Sequence, residues 1–225
     1  GGNIKGIASG SATLQSKLIK VFLAAGIPIY EGYGLTEAGP CLSVNCIKRG
    51  VKIGTVGLPL VGIDIKLADD GEVLAKGKNI MLGYYKNPVA TAEVLKDGWL
   101  HTGDIGAWDG KFLKIIDRKK EMFKTSGGKY IVPQQMESKF SESKFIEQIM
   151  VVGDGKKFAS ALIVPSYTAA LEWLKSIDVK FSQLSPSEMI ENSHFIQKIS
   201  DEVNKINEQF GSWEKIKKFK LISKE

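Results

Sequence analysis

Apolar and polar residues follow two different spacings along the chain, and the change from one to the other falls just past the middle. Upstream of residue 115 the apolar runs are short and broken by glycine-containing turns. Residues 6–12 predict a strand ending in a small-residue turn. Leu14, Leu18, Val21, Phe22 and Ala25 recur at helical spacing and predict a helix over 13–25, stopped by Gly26. Residues 27–30 predict a second strand, and strand, helix and strand in this order imply part of a parallel α/β sheet. Further short strands are expected at 54–58, 63–67, 71–76, 83–85, 99–101 and 107–108, with Asp69-Asp70-Gly71 as a hairpin turn. A short helix over 88–95 places Pro88 in its first turn. This middle part reads as a small barrel-like or sandwich-like β region.

Downstream the period lengthens. A helix is expected over 133–140 with Met136 and Phe140 inward. Strands over 145–152 and 158–164 are joined by the turn-rich Gly153-Asp154-Gly155-Lys156-Lys157. Helices over 167–177 and 194–210 follow, the second lining Ile196, Ile199, Val203, Ile206 and Phe210 along one face. That face is expected to pack on the sheet of its own domain. Residues 216–222 predict an edge strand with its lysines toward water. No internal repeat or low-complexity segment is present.

The length, 225 residues, allows one large domain or two small ones. With 43% hydrophobic and 25% charged residues the composition is that of an ordinary globular protein. No apolar run approaches the roughly 18 to 20 residues needed to span a bilayer. The start, Gly1-Gly2-Asn3-Ile4-Lys5, lacks a signal-peptide pattern. Cys41 and Cys46 have no His or Cys cluster beside them, which argues against zinc and makes a reducing cytoplasmic setting the default. The net charge of +6 comes from scattered lysines without a nucleic-acid-binding module, so nucleic acid is not expected as a partner. Weak peripheral attraction to an anionic membrane surface is compatible with it. The oligomeric state is not readable.

Charge concentrates between Ile115 and Pro133, where Arg118, Lys119, Lys120, Lys124 and Lys129 face only Asp117 and Glu121. The basic run leads into Ser126-Gly127-Gly128, where exposed backbone N–H groups and cations can converge on phosphate oxygens. A solvated basic turn between two domains is the other reading. Two more stretches carry candidate chemistry. In Tyr30-Glu31-Gly32-Tyr33-Gly34-Leu35-Thr36-Glu37, at the carboxyl end of a strand, two glycines let backbone approach a ligand and free the Tyr33 ring to lie against a flat base. Thr36 supplies a hydroxyl and Glu37 a carboxylate suited to Mg2+. In Thr102-Gly103-Asp104 a carboxylate at a strand end can accept from both hydroxyls of a ribose. A turn with a buried tyrosine and an ordinary turn aspartate are the plain alternatives. His101 and His194 are expected to pack or bond locally.

The small-residue turn at Gly10-Ser11-Ala12, G-Y-G-L-T-E, T-G-D and I-D-R-K-K-E-M-F-K-T-S-G-G-K-Y occur in one order. That order resembles the adenylate-forming (AMP-binding) superfamily. M-F-K-T-S-G-G-K-Y-I-V-P-Q-Q-M-E, followed by F-I-E-Q-I-M-V-V-G, S-A-L-I-V-P and a long helical insert, is most similar to its long-chain fatty acid–CoA ligase branch. The resemblance implies ATP-dependent formation of acyl-AMP from a fatty acid, then thioester formation with CoA, with Mg2+ as the metal. It implies that Gly10, Ser11 and Ala12 border the nucleotide and acyl pocket, and that Tyr33, flanked by Gly32 and Gly34, lies against adenine. Thr36 would contact phosphate, Glu37 would hold Mg2+, and Asp104 and Arg118 would grip the ribose. Lys120 would be the pivot of a mobile lid, Lys124 would face the site during thioester formation, and Ser126, Gly127 and Gly128 would border the pantetheine tunnel.

The implied architecture is α/β and α+β. Residues 1–50 end a large α/β subdomain, 51–118 form a small distorted β-barrel, and 119–225 form most of an α+β lid. The family's phosphate loop and its C-terminal catalytic lysine have no counterpart here, and Lys224 lacks the latter's context. The chain as given is therefore expected to be the C-terminal portion of a synthetase and inactive alone. An acyl-AMP ligase loading a carrier protein, a non-catalytic AMP- or CoA-binding module, and a lid-centred interaction domain are the alternatives.

Overall fold

The computed structural model describes residues 2–12 and 14–223. Thr13, the first residue of the expected helix, and Lys224 lie outside the described residues. The chain forms two compact units, Gly1–Lys119 and Lys120–Glu225.

In the first unit β1 (Ile7–Ser9), α1 (Ser16–Ala24) and β2 (Ile29–Tyr33) form a strand–helix–strand unit, with β1 parallel to β2. The helix ends ahead of Gly26, as the sequence predicts. Its apolar face is mostly open, however: Ile19 is buried while Leu18, Val21, Phe22 and Leu23 are exposed. β2 runs further than expected, through Glu31 and Gly32 to Tyr33, so the G-Y-G motif begins within the strand. β3 (Ser43–Val44) and β4 (Leu58–Pro59) extend the sheet in the order β1-β2-β3-β4.

The β-rich part holds β5 (Ile63–Leu67), β6 (Glu72–Gly77), α2 (Pro88–Val94), β7 (Leu95–Lys96), β8 (Trp99–Asp109) and β9 (Phe112–Arg118). The hairpin at Asp69-Asp70-Gly71 joins β5 to β6 as expected. Three expectations fail here. Residues 54–57 are a loop rather than a strand, and only Leu58 of the expected run is in one, β4. The Asn45 side chain ties the loop down, donating to the Thr55 carbonyl (2.6 Å) and accepting from the Lys52 N–H (2.9 Å). Residues 83–85 are also a loop, because the Tyr84 N–H goes to the Thr91 hydroxyl at 2.9 Å instead of to a strand. The two short strands expected at 99–101 and 107–108 are one strand of 11 residues, β8, paired with an unexpected β9. Asp104 therefore sits inside a strand, not at its end.

The second unit begins with a two-stranded hairpin, β10 (Phe123–Lys124) and β11 (Tyr130–Ile131), and continues into α3 (Pro133–Phe140). β12 (Ile146–Val152) and β13 (Ser160–Pro165) are antiparallel around the expected turn. The insert before the last strand holds α4 (Tyr167–Ile177), a short 3-10 helix (Val179–Gln183), α5 (Pro186–Glu191) and α6 (Ser193–Asn207). Sequence reading missed α5, which has a capping box: Ser185 Oγ accepts from the Glu188 N–H and the Glu188 carboxylate accepts from the Ser185 N–H. β14 (Lys218–Leu221) closes the sheet as an edge strand parallel to β13.

Ile199, Val203 and Ile206 of the expected α6 face lie in the core alongside Met136, Phe140, Ile163 and Leu174, but Ile196 is exposed and Phe195 is buried in its place. The helix ends at Asn207 rather than 210 because the buried Asn207 side chain bonds both the N–H and the carbonyl of Ile216, at 3.0 and 2.9 Å. Phe210 still stacks on Phe140, with ring centroids 6.0 Å apart. Among the described residues no helix is long and apolar enough to cross a membrane.

Phe195 is fully buried and meets the Trp173 ring at 6.4 Å. Phe195→Ala is expected to destabilise the second unit by about 3–5 kcal/mol, measured as a fall in its urea unfolding midpoint at constant slope.

Candidate functional site

The first unit brings the T-G-D and G-Y-G motifs together. The Tyr33 hydroxyl donates to Asp104 Oδ2 at 2.6 Å, across 71 residues of sequence. Arg118, the cross-strand partner of Asp104 on β9, brings its Nε to 3.5 Å from Oδ1. The Arg118 side chain is 67% exposed, so this contact orients more than it stabilises. Burial pushes the Tyr33 phenol well above its ordinary range, and the Asp104 charge pushes it the same way. Tyr33 therefore stays a neutral donor whose ring plane is fixed by its own hydroxyl.

The local geometry around Asp104 comes from side chains that replace ladder bonds. Between the pairs Leu74↔His101 and Glu72↔Ile105, the residues Thr102, Gly103 and Asp104 oppose Val73 alone. The Thr102 hydroxyl donates to the Val73 carbonyl at 2.8 Å and accepts from the Asp104 N–H at 3.1 Å. The Gly103 N–H donates to Glu72 Oε1 at 2.9 Å. Gly103 takes φ 73°, a left-handed conformation open to glycine at little cost. His101 bonds locally as expected, its Nδ1 3.3 Å from Glu72 Oε2. Glu72 was not singled out by sequence reading. Its burial alone would raise its pKa, but bonds from Lys119, His101 and the Gly103 N–H together hold it below the usual carboxylate range.

Thr36 and Glu37 lie on a short 3-10 helix, Thr36–Ala38, just past β2, with Thr36 exposed and Glu37 partly so. Glu37 Oε1 accepts from the Tyr84 hydroxyl at 2.8 Å, and that bond pushes the Tyr84 phenol up. Tyr84 is a second residue that sequence reading missed. Among the described residues no group of three or more His, Cys, Asp or Glu could hold a metal ion. Glu37 is a single, partly exposed carboxylate, the donor type that Mg2+ takes together with substrate phosphates and water. Gly10, Ser11 and Ala12 form an exposed turn after β1, with Ser11 at φ 69°.

Gly34 has a demand of its own. A Cβ there would lie 1.9 Å from the Pro40 carbonyl oxygen and 2.7 Å from Cys41 Cα, so the protein's own backbone occupies the space. At Gly32 the closest atom is the Ser43 carbonyl oxygen at 3.3 Å. Close approach of a ligand is not needed to explain Gly34.

In the second unit Lys120 is exposed, and the Lys124 ammonium lies over the Tyr130 ring at 4.5 Å. Ser126, Gly127 and Gly128 form the exposed turn of the β10–β11 hairpin. The Ser126 N–H donates to the Lys156 carbonyl and the Gly128 N–H to that of Thr125, both at 2.8 Å. Only the Gly127 N–H of this turn has no such backbone bond among the described residues, so the run of three N–H groups is not all aimed outward. The ring of His194 lies against Phe181 in a packing role.

A partly buried tyrosine–aspartate bond thus has an arginine across the strand and a carboxylate on the turn after the tyrosine, and comparison with known proteins identifies the family of the chain. Family models for the AMP-binding enzyme and for the AMP-binding enzyme C-terminal domain match residues 1–85 and 121–225. The chain belongs to the AMP-binding enzyme family. It is 38% identical over 223 residues to long-chain-fatty-acid–CoA ligase FadD15 of Mycobacterium tuberculosis, covering 99% of this chain and 37% of that protein. It is 40% identical over 190 residues to long-chain-fatty-acid–CoA ligase 1 of Homo sapiens, covering 77% and 27% respectively. The chain therefore spans well under half of the length of the curated relatives it matches, 37% and 27% of these two. Among solved structures, o-succinylbenzoate CoA synthetase of Bacillus subtilis in complex with OSB-AMP is similar with a TM-score of 0.78 at 22% identity, covering 100% of this chain and 43% of that one. The anthranilate CoA ligase AuaEII gives 0.75 at 21% identity, covering 98% and 41%. These structures establish the mixed α/β fold that the sequence implied.

Gly34→Ala is expected to destabilise the first unit by at least about 1–3 kcal/mol through overpacking. Thermal unfolding checks this, with Gly10→Ala, whose Cβ would have only an ordinary 3.5 Å contact, as the tolerant control.

Proposed function

We propose that the whole protein is an ATP-dependent, AMP-forming acid–thiol ligase that activates a long-chain fatty acid and transfers it to CoA. The bond between Tyr33 and Asp104, with Arg118 across the strand, carries this reading. It fixes an aromatic face, a carboxylate and a guanidinium in one place, as a flat base attached to a ribose requires. The identity to long-chain-fatty-acid–CoA ligases supports the substrate class.

In this reading Tyr33, between Gly32 and Gly34, lies against adenine, while Asp104 accepts from the ribose hydroxyls and Arg118 donates to them. The fatty acid carboxylate attacks the α-phosphorus of ATP, the bond from that phosphorus to the bridging oxygen breaks, and pyrophosphate leaves with the electron pair. The thiolate of CoA then attacks the acyl carbon, AMP departs, and the thioester forms. Thr36 contacts phosphate, and Gly10, Ser11 and Ala12 border the nucleotide and acyl pocket. Mg2+ held at Glu37 would neutralise phosphate charge, and Tyr84 orients the Glu37 carboxylate. Much of the catalytic gain in such a reaction comes from holding the acid and the phosphate in line.

The same reading gives Lys120 the role of pivot and brings Lys124 to the site in the thioester half. It places Ser126, Gly127 and Gly128 along the pantetheine path. It also divides the chain into residues 1–50, 51–118 and 119–225. The free thiols Cys41 and Cys46 suit a reducing, cytoplasmic compartment.

The test supplies the whole protein with ATP, Mg2+, palmitate and CoA and follows pyrophosphate, acyl-AMP and thioester. Asp104→Ala is expected to lower kcat/KM for ATP by about 10- to 100-fold, the loss of one or two charge-assisted hydrogen bonds. Acyl-AMP without thioester would redirect the reading to a carrier-protein ligase. Nucleotide binding without any product would make it a sensing module.

A further inference from the structure

Glu72 has a buried carboxylate to which the proposed reaction gives no part. It opens β6, and the next three residues, Val73, Leu74 and Ala75, are buried hydrocarbon. A charge in such a setting persists only when its oxygens are satisfied. Oε1 accepts from the Gly103 N–H at 2.9 Å. Oε2 accepts from Lys119 Nζ at 3.1 Å and faces His101 Nδ1 at 3.3 Å. Lys119 also meets Asp70 at 2.5 Å, and its backbone N–H donates to the Gly103 carbonyl at 2.8 Å.

The connectivity is more informative than the individual bonds. Gly103 is one peptide bond from Asp104, and Lys119 is one peptide bond from Arg118. Glu72 holds both neighbours, and they hold each other. The lysine and Asp70 are close to half exposed, so their pairing contributes little stability by itself. The Gly103 bond, where strand pairing is interrupted, is the one without a ladder bond to replace it.

We propose that Glu72 is a positioning residue for the Asp104–Arg118 pair: by tying Gly103 and Lys119 to β6, it sets the spacing and direction with which the carboxylate and the guanidinium meet a ribose. The role rests on the nucleotide-binding reading above. Glu72 itself touches no substrate.

The experiment measures AMP affinity by calorimetry and KM for ATP and for CoA in the whole protein and its variants. Glu72→Ala removes every bond of the carboxylate. Glu72→Gln keeps an acceptor for the Gly103 N–H but turns a donor toward Lys119, and it decides the question alone where the alanine variant fails to fold. Glu72→Ala is expected to weaken AMP binding and raise KM for ATP by about tenfold, and Glu72→Gln by about threefold, with KM for CoA unchanged. In an Asp104→Ala background neither substitution is expected to weaken AMP binding further, because Glu72 acts through that residue. Wild-type nucleotide affinity in Glu72→Gln and in any folded Glu72→Ala, or an undiminished loss in the Asp104→Ala background, would overturn the role. If Asp104→Ala alone leaves AMP affinity intact, the nucleotide reading itself fails, which is a separate outcome.

Discussion

The chemistry of the first unit depends on a short break in a β-ladder that side chains repair. At Thr102-Gly103-Asp104, strand β8 carries more residues than β6 can pair, and the Thr102 hydroxyl and the Glu72 carboxylate take the bonds that the backbone would otherwise make. A regular strand would alternate its side chains and spread Thr102 and Asp104 along one face. The irregular one turns Asp104 to meet Tyr33 from the neighbouring sheet. Buried polar groups in such a break must all be satisfied, because an unpaired one costs more than the bond contributes. The requirement explains why a carboxylate, a hydroxyl and a left-handed glycine occur together.

Much of this was legible in the sequence where information is local. Motif order gave the family, the 3.6-residue period gave the bounds of α4, and the glycine-rich turn gave the β12–β13 hairpin. Asp104 and Arg118 stood out by residue type. That they are cross-strand partners did not, because β9 was not anticipated and β8 was split in two. The apolar pattern weakens where Thr102-Gly103-Asp104 interrupts it, and a period-based reading takes such a gap for the end of a strand.

Contacts between distant residues were the other blind spot. Nothing around Tyr84 marks it as the partner of Glu37, 47 residues away. Glu72 opens a strand whose next three residues are apolar, and a lone acid at a strand's first position reads as ordinary hairpin chemistry. Its burial was the missing fact. Gly34 shows the converse, since a glycine assigned to ligand approach turns out to be required by the Pro40–Cys41 backbone. A motif can thus be right about location and incomplete about cause.

Calorimetric titration of the whole protein with AMP and with 2′,3′-dideoxy-AMP measures the grip of Asp104 and Arg118 on a ribose most directly. The clamp predicts that AMP binds and that loss of both hydroxyls weakens binding by about tenfold or more, since each removed donor leaves part of a charged pair unsatisfied. Equal affinities for the two nucleotides would contradict it.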